Sequence, residues 1–313
     1  MKKVSYFVCT NGYGHFVRMM RICKHLSSKY KIDVYCSERQ YQKFKPNLNV
    51  NFKFYSTDNI RWDKIMQNNS PLENEYFNWL EKYGKIAAQY DLVLSDNLVT
   101  LLKYNTNTII IGSFLWKDVL EDKFPGNKIS KLDEELINQH NPLILTNKYA
   151  ETGTLKNYSN KRSFGWGCDN KKPIYWKEPK KIVLVEPSLK YSTKYVDFLE
   201  KIKKILILSK YKVDNSPAKT TTCIFFARPG LGTLTHCVEN NIPIIALYSK
   251  DDSKEIIELA KRIDKLKIGF SYRIDRMFDL KKLNTLFNNE DIYKHTNFDK
   301  EGYKEIAKFL KYI

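Results

Sequence analysis

The sequence predicts an α/β protein built from two doubly wound units, and three observations carry that expectation. The chain has 313 residues, room for two domains of about 100 to 200 residues each. Short β-branched runs alternate with stretches of helical periodicity, the pattern of a mostly parallel sheet covered by helices on both faces. A glycine loop stands between a strand and a helix twice, once in each half of the chain.

In the first half, Val4 to Cys9 reads as a strand, Phe16 to Lys29 as a helix, and Ile32 to Cys36 and Val50 to Tyr55 as strands. Tyr76 to Gln89 reads as a helix and Leu92 to Ser95 as the strand after it. Thr108 to Gly112 and Leu143 to Thr146 add strands around a helix at Ile129 to Gln139. Between Tyr158 and Lys181 the alternation breaks into polar, turn-rich sequence with Gly165, Gly167, Pro173 and Pro179, the expected linker. The second half resumes with strands at Ile182 to Val185, Ile205 to Leu208, Cys223 to Phe226 and Ile242 to Leu247. Helices are expected at Tyr195 to Lys204, Thr233 to Asn240 and Lys254 to Lys265. At the end, Tyr303, Ile306, Ala307, Leu310 and Ile313 form one apolar stripe, the mark of an amphipathic helix that packs on a domain or touches a membrane surface. The expected division is 1–160, 161–299 and a terminal helix at 300–313.

Composition excludes several classes. Hydrophobic residues are 42% and charged residues 28%, with 12 Gly and 10 Pro, which fits neither a collagen-like nor a disordered chain. The longest apolar runs, such as Ile242 to Tyr248, fall far short of the roughly 20 residues of a membrane helix. Val4 to Cys9 is too short for the core of a signal peptide, so a cytoplasmic protein is expected. Six cysteines stand singly, without a CxxC pair, and most lie in apolar segments as reduced thiols would. The net charge of +18 suits nucleic acid, an anionic membrane surface or a phosphorylated ligand. No nucleic-acid module signature accompanies it, so nucleic acid is not expected as a partner, while peripheral contact with an anionic membrane stays open.

The first glycine loop, Thr10-Asn11-Gly12-Tyr13-Gly14-His15, lies at the carboxyl edge of the first strand, where open α/β sheets bind ligands. Gly12 and Gly14 permit a tight turn, and the helix that follows offers free N–H groups. His15 at the helix mouth is either a proton acceptor at neutral pH or a loop cap. Asp96 ends the strand Leu92 to Ser95. With strand order 3-2-1-4-5 it emerges beside His15, either to orient the imidazole or to cap the following segment. The second loop, Arg228-Pro229-Gly230-Leu231-Gly232-Thr233, again opens a helix, whose N–H groups and dipole suit a diphosphate. No Lys follows in the GxxxxGK[ST] pattern, which argues against ATP hydrolysis.

Taken together, Gly12, Gly14, His15 and Arg18, the segment Asp91 to Asp96 and the run from Arg228 to Ile244 resemble the GT-B glycosyltransferases. The likeness is to the branch of the bacterial peptidoglycan N-acetylglucosaminyltransferase and related UDP-sugar transferases. The resemblance implies two Rossmann-like α/β domains facing a central cleft, acceptor-side first and nucleotide-sugar-binding second. It implies His15 as general base with Asp96 as partner, Asn11, Gly12, Gly14 and Arg18 around it, and Arg228, Gly230, Gly232, Thr233, His236 and Glu239 on the donor side. This chain departs from the family at three places. His236 stands where the family has a ribose-binding Glu, with Glu239 one turn later; Glu186-Pro187-Ser188 replaces a glycine-rich turn; and the acidic-Gln pair has no clear counterpart in Ser249 to Glu255.

The function expected is metal-independent, inverting transfer of a sugar from a nucleoside-diphosphate sugar, as co-substrate, to a glycan or lipid-linked acceptor hydroxyl. Water as the acceptor would make a nucleotide-sugar hydrolase, and a non-hydrolysing epimerase is a third reading. A non-catalytic nucleic-acid or membrane-binding protein would explain the charge but not the glycine loops. Asp251 and Asp252, adjacent on a loop before a helix, read as a cap and not a metal site. Trp62, Tyr76, Phe77, Trp79, Tyr83 and Trp116 read mostly as core, although rings of this kind also stack on sugars.

Overall fold

The structure is a computed structural model that describes residues 2–26, 30–45, 52–60, 62, 73–168, 181–184, 193–214, 224–279, 281, 283 and 298–313. It divides into two compact units, 1–167 with 301–313, and 168–300.

The first unit is a seven-stranded parallel sheet in the order β3-β2-β1-β4-β5-β6-β7. Its strands are β1 (Lys3–Phe7), β2 (Lys31–Ser37), β3 (Lys53–Thr57), β4 (Leu92–Asp96), β5 (Thr108–Ile111), β6 (Ile144–Asn147) and β7 (Lys161–Phe164). The described helices are α1 (Gly14–Leu26), α2 (Glu38–Phe44), α3 (Glu73–Ala87), α4 (Trp116–Lys123), α5 (Lys128–His140) and α9 (Gly302–Leu310). Alternation along the strands divides the core between two faces, as the two-residue side-chain period requires. Tyr6, Val34 and Leu94 pack with Phe16, Met19 and Ile22 of α1 and Ile306 and Leu310 of α9. Phe7, Tyr35 and Val93 pack with Tyr76, Leu80 and Tyr83 of α3.

The strands β4, β5 and β6 are buried along their whole length, whereas the edge strand β7, Lys-Arg-Ser-Phe, is buried only at Phe164. Residues 161–167, expected to open the second domain, therefore complete the first. The expected linker contains this strand because an edge exposed to water has no need of an apolar run. The terminal helix likewise belongs to the first unit. Its stripe of Ile306, Ala307 and Leu310 is buried against α1, and the Tyr30 hydroxyl donates to the Leu310 carbonyl at 3.1 Å. That stripe is accordingly unavailable to a membrane.

The second unit is a five-stranded parallel sheet, β12-β11-β10-β8-β9. Its strands are β8 (Lys181–Leu184), β9 (Lys212–Asp214), β10 (Ile224–Ala227), β11 (Ile244–Tyr248) and β12 (Gly269–Arg273), with helices α6 (Thr193–Leu208), α7 (Leu231–Glu239) and α8 (Lys254–Leu266). Ile205 to Leu208, expected as a strand, is the last turn of α6. A short aliphatic run fits strand or helix by periodicity alone, and here Leu206 continues the buried face set by Tyr195, Leu199 and Ile202.

Among the described residues no helix is long and apolar enough to cross a membrane. Cys9, Cys23 and Cys36 are buried free thiols, and burial pushes Cys9 and Cys36 up to about 12. Cys223 and Glu186-Pro187-Ser188 lie outside the described residues.

Candidate functional site

The order β2-β1-β4 places the end of β4 beside the loop after β1, so Asp96 meets His15 across adjacent strands. Between Cys9 and α1 the chain makes a tight turn in which Gly12 adopts φ +85°, a left-handed conformation costly for other residues. Gly14 is the first residue of α1. The turn is pinned from α2: the Gln40 side-chain amide donates to Cys9 O at 2.9 Å and Gly12 O at 2.8 Å. Gln40 is itself fixed by a capping box with Ser37. The Thr10 hydroxyl donates to the Ile60 carbonyl and accepts from the Ile60 N–H, at 3.1 Å each.

His15 Nδ1 lies 2.7 Å from Asp96 Oδ1. Arg18, one turn along α1, donates from Nε to Asp96 Oδ2 at 3.3 Å and from Nη2 to Asp96 Oδ1. Asp96 is fully buried and the Arg18 side chain nearly so, while the His15 side chain retains 12% exposure, enough to be reached from outside. Burial pushes the Asp96 carboxyl up, but the Arg18 guanidinium and His15 more than offset this and hold it below the usual carboxylate range. Burial likewise opposes the Arg18 charge, and Asp96 more than restores it. An ionised carboxylate is acceptor-only, so the proton of a neutral His15 ring sits on Nδ1 and the Nε2 lone pair is left for another partner. Arg18 Nη2, 3.1 Å from Nδ1, is a donor and would favour the opposite tautomer, but the carboxylate stands closer to Nδ1, at 2.7 Å, and draws the proton there.

Asn97 follows in the left-handed region at φ +59° and turns the chain away directly after the carboxylate. It is fully buried, and a Cβ on Gly112 would stand 1.4 Å from its Oδ1, so residue 112 is glycine to admit this side chain. The Asn97 carboxamide and Asn11 Oδ1 are buried without a hydrogen-bond partner. Phe114 sets its ring edge-on to His15 at 6.5 Å.

In the second unit, Gly230 is the N-cap of α7 and offers no side-chain cap to the first-turn N–H groups. A Cβ at Gly230 would meet nothing within 4 Å. Arg228 is held at the end of β10 by Asp252, which accepts from its Nε and Nη2 at 3.1 Å. Asp252 Oδ2 also accepts from Ser249 N at 2.7 Å and from the Tyr195 hydroxyl. Asp252 is thus a clamp on the loop, and Asp251 pairs with Lys194 at 2.7 Å.

The second loop brings Arg228, Gly230, Gly232 and Thr233 together, with His236 one turn further along α7 and Glu239 at that helix's last residue. Glu239 is buried at the far end of α7, about 12 Å from the loop at 1.5 Å rise per residue. His236 stacks on Phe225 at 5.5 Å. Of the aromatics, Trp62, Tyr76, Trp79, Tyr83 and Trp116 are core, with Trp62 and Trp116 stacked at 3.9 Å. The sequence reading missed Gln40 and Asp252 as supports, and gave Arg18 no contact of its own. The Ser37-to-Gln40 capping spacing was the one available signal for Gln40. Among the described residues no three His, Cys, Asp or Glu side chains cluster as metal ligands would.

These two glycine loops, each at the carboxyl edge of a parallel sheet, sit in the GT-B fold of two Rossmann-like units. Among solved structures the chain is similar to the spinosyn rhamnosyltransferase SpnG, at TM-score 0.65 and 12% identity over 99% of this chain and 100% of that one. It is also similar to MurG of Acinetobacter baumannii, at TM-score 0.59 and 9% identity over 100% of both chains. Similarity extends to Arabidopsis thaliana UGT89C1 complexed with UDP-L-rhamnose, at TM-score 0.60 and 11% identity over 100% of this chain and 93% of that one. No family model and no curated protein matches the sequence.

Proposed function

We propose that the protein is an inverting glycosyltransferase that moves a sugar from a nucleoside diphosphate to an acceptor hydroxyl on a glycan or lipid-linked molecule. The observation that carries this reading is the His15–Asp96 contact of 2.7 Å, with Arg18 on the same carboxylate. His15 Nε2 takes the proton of the acceptor hydroxyl as its oxygen attacks the anomeric carbon. The bond from that carbon to the diphosphate oxygen breaks with inversion, and Asp96 steadies the imidazolium. In this reading Asn11, in the loop before His15, belongs to the acceptor side; its Oδ1 is buried without a hydrogen-bond partner. The departing diphosphate is met by the first-turn N–H groups and dipole of α7, beside Gly230, Gly232 and Thr233, in the role a metal has elsewhere. Arg228, engaged by Asp252, shapes that loop.

Thermal shift against UDP, GDP and CMP and their sugars identifies the donor, since a native-state ligand raises apparent stability. With that donor, His15→Ala should lower turnover by about 10²- to 10⁴-fold, roughly 3 to 5 kcal/mol in the barrier, with nucleotide affinity unchanged. Asp96→Asn should do less harm, because the carboxamide oxygen still accepts the Nδ1 proton. Near wild-type turnover in His15→Ala would overturn the assignment of the base. Full-rate release of nucleoside diphosphate without any acceptor would make water the nucleophile and the protein a hydrolase.

A further inference from the structure

The last two turns of α6 break the rule that an amphipathic helix shows water its polar side. Leu206 and Ile202 face the core, yet Leu208 is 83% exposed, Ile207 55% and Ile205 36%. The chain then turns back through Lys210 in the left-handed conformation, with the Tyr211 N–H on the Leu206 carbonyl at 2.9 Å and the Lys210 N–H on that of Ile207 at 3.0 Å. This helix stop sets Lys210 and Lys212 beside the exposed leucine and isoleucines. From 201 to 213 there are five lysines, Lys201, Lys203, Lys204, Lys210 and Lys212, and no acidic residue. All but the partly exposed Lys203 are exposed.

We propose that this end of α6 is a docking surface for an anionic lipid bilayer. The aliphatic tips enter the interface between headgroups and acyl chains, and the lysines lie along the headgroups, their stems covering apolar surface and their ammonium groups on phosphate. The charge selects this occupant. A second copy of the chain would bring five more lysines against the first five, and a neutral apolar partner would give them nothing to pair with. Topology leaves the proposed donor loop clear, because α6 runs antiparallel to the strands of its parallel sheet. Its last turn therefore lies at their amino edge, opposite the edge from which the loop after β10 emerges. The surface is independent of the chemistry proposed above: it concerns where the protein resides, whatever reaction it performs.

The test is cosedimentation of the full chain with vesicles of phosphatidylcholine containing about 30% phosphatidylglycerol, and with phosphatidylcholine alone. Binding is expected only to the anionic vesicles, and 0.5 M NaCl should weaken it strongly. Each lysine near such a surface contributes about a five-fold factor, so Lys203→Gln with Lys204→Gln should lower partitioning about 25-fold. Ile207→Ser with Leu208→Ser should lower it at least ten-fold at unchanged salt. Lys204, Ile207 and Leu208 are exposed and Lys203 partly so, so the unfolding transition should hardly move. Tyr312→Ser, at another exposed ring 81% open to solvent, should bind as the wild type does. No binding by the wild-type chain would overturn the proposal, as would binding that the serine pair leaves intact. A dimer in sedimentation that the serine pair disperses would overturn it in favour of self-association, and loss of nucleic-acid binding in the lysine pair without vesicle binding would reassign the charge.

Discussion

Replacing Asp133 with asparagine should stabilise the first unit at alkaline pH and leave it nearly unchanged in mild acid. Asp133 lies on α5 with 1% exposure, and its Oδ1 has no hydrogen-bond partner. Burial pushes this carboxyl up from 3.8 to about 8, against the opposing Lys117 charge and backbone N–H and with Asp118 adding to the rise. The sign follows from proton counting. Between about pH 4 and pH 8 the folded chain holds a proton that the unfolded chain releases, so stability falls by about 1.4 kcal/mol per pH unit as pH rises. The penalty is absent below pH 4 and complete above pH 8, with a ceiling of about 6 kcal/mol. Asparagine cannot ionise but buries an amide, at a cost of about 1 to 3 kcal/mol. A net gain of about 3 kcal/mol is therefore expected at pH 8.5, and about zero at pH 5. Urea unfolding read by tryptophan fluorescence reports mainly on this unit, which holds Trp62, Trp79, Trp116 and Trp166 of the chain's five tryptophans. A difference between wild type and variant that is equal at the two pH values would refute the reasoning.

Gly112→Ala drives a methyl group to 1.4 Å from Asn97 Oδ1, so Asn97 must leave its place behind Asp96. A loss of about 1 to 3 kcal/mol in urea unfolding is expected, and an unchanged midpoint would contradict the close approach. Asp252→Ala frees Arg228 and the Tyr195 hydroxyl together and leaves a half-buried guanidinium unpaired. Affinity for the donor nucleotide, measured by calorimetry, should fall about ten-fold, and full retention would show that the loop holds its shape without the clamp.

Much of the fold was legible because the signal of a doubly wound sheet is local. The strand before Gly12, the helix after it and the strand ending at Asp96 were each readable, and the strand order then set Asp96 beside His15. The missing parts depend on neighbours far along the chain. The edge strand β7 has a polar sequence that acquires meaning only beside β6. Arg18 could be placed near the loop but not on Asp96, since only tertiary packing closes that contact. His236 and Glu239 were put on the donor side by the family resemblance; His236 lies one turn after Thr233, while Glu239 ends α7. The exposed aliphatics of α6 read as a strand because sequence reports apolarity, not which side meets water.

The second unit is an insertion within the first, and the two strands of chain that enter and leave it run side by side. Gly167 pairs with Glu301, and the Cys168 N–H donates to the Lys300 carbonyl at 3.0 Å. During synthesis, residues 168–300 emerge before α9 exists, so the inserted unit has its whole sequence available while the earlier one still lacks the helix that covers α1. The same adjacency makes the insertion removable: joining 167 to 301 through a short glycine linker spans a gap already closed by hydrogen bonds. Such an excised chain would present the His15, Arg18 and Asp96 cluster on a single domain, open to titration without the inserted unit.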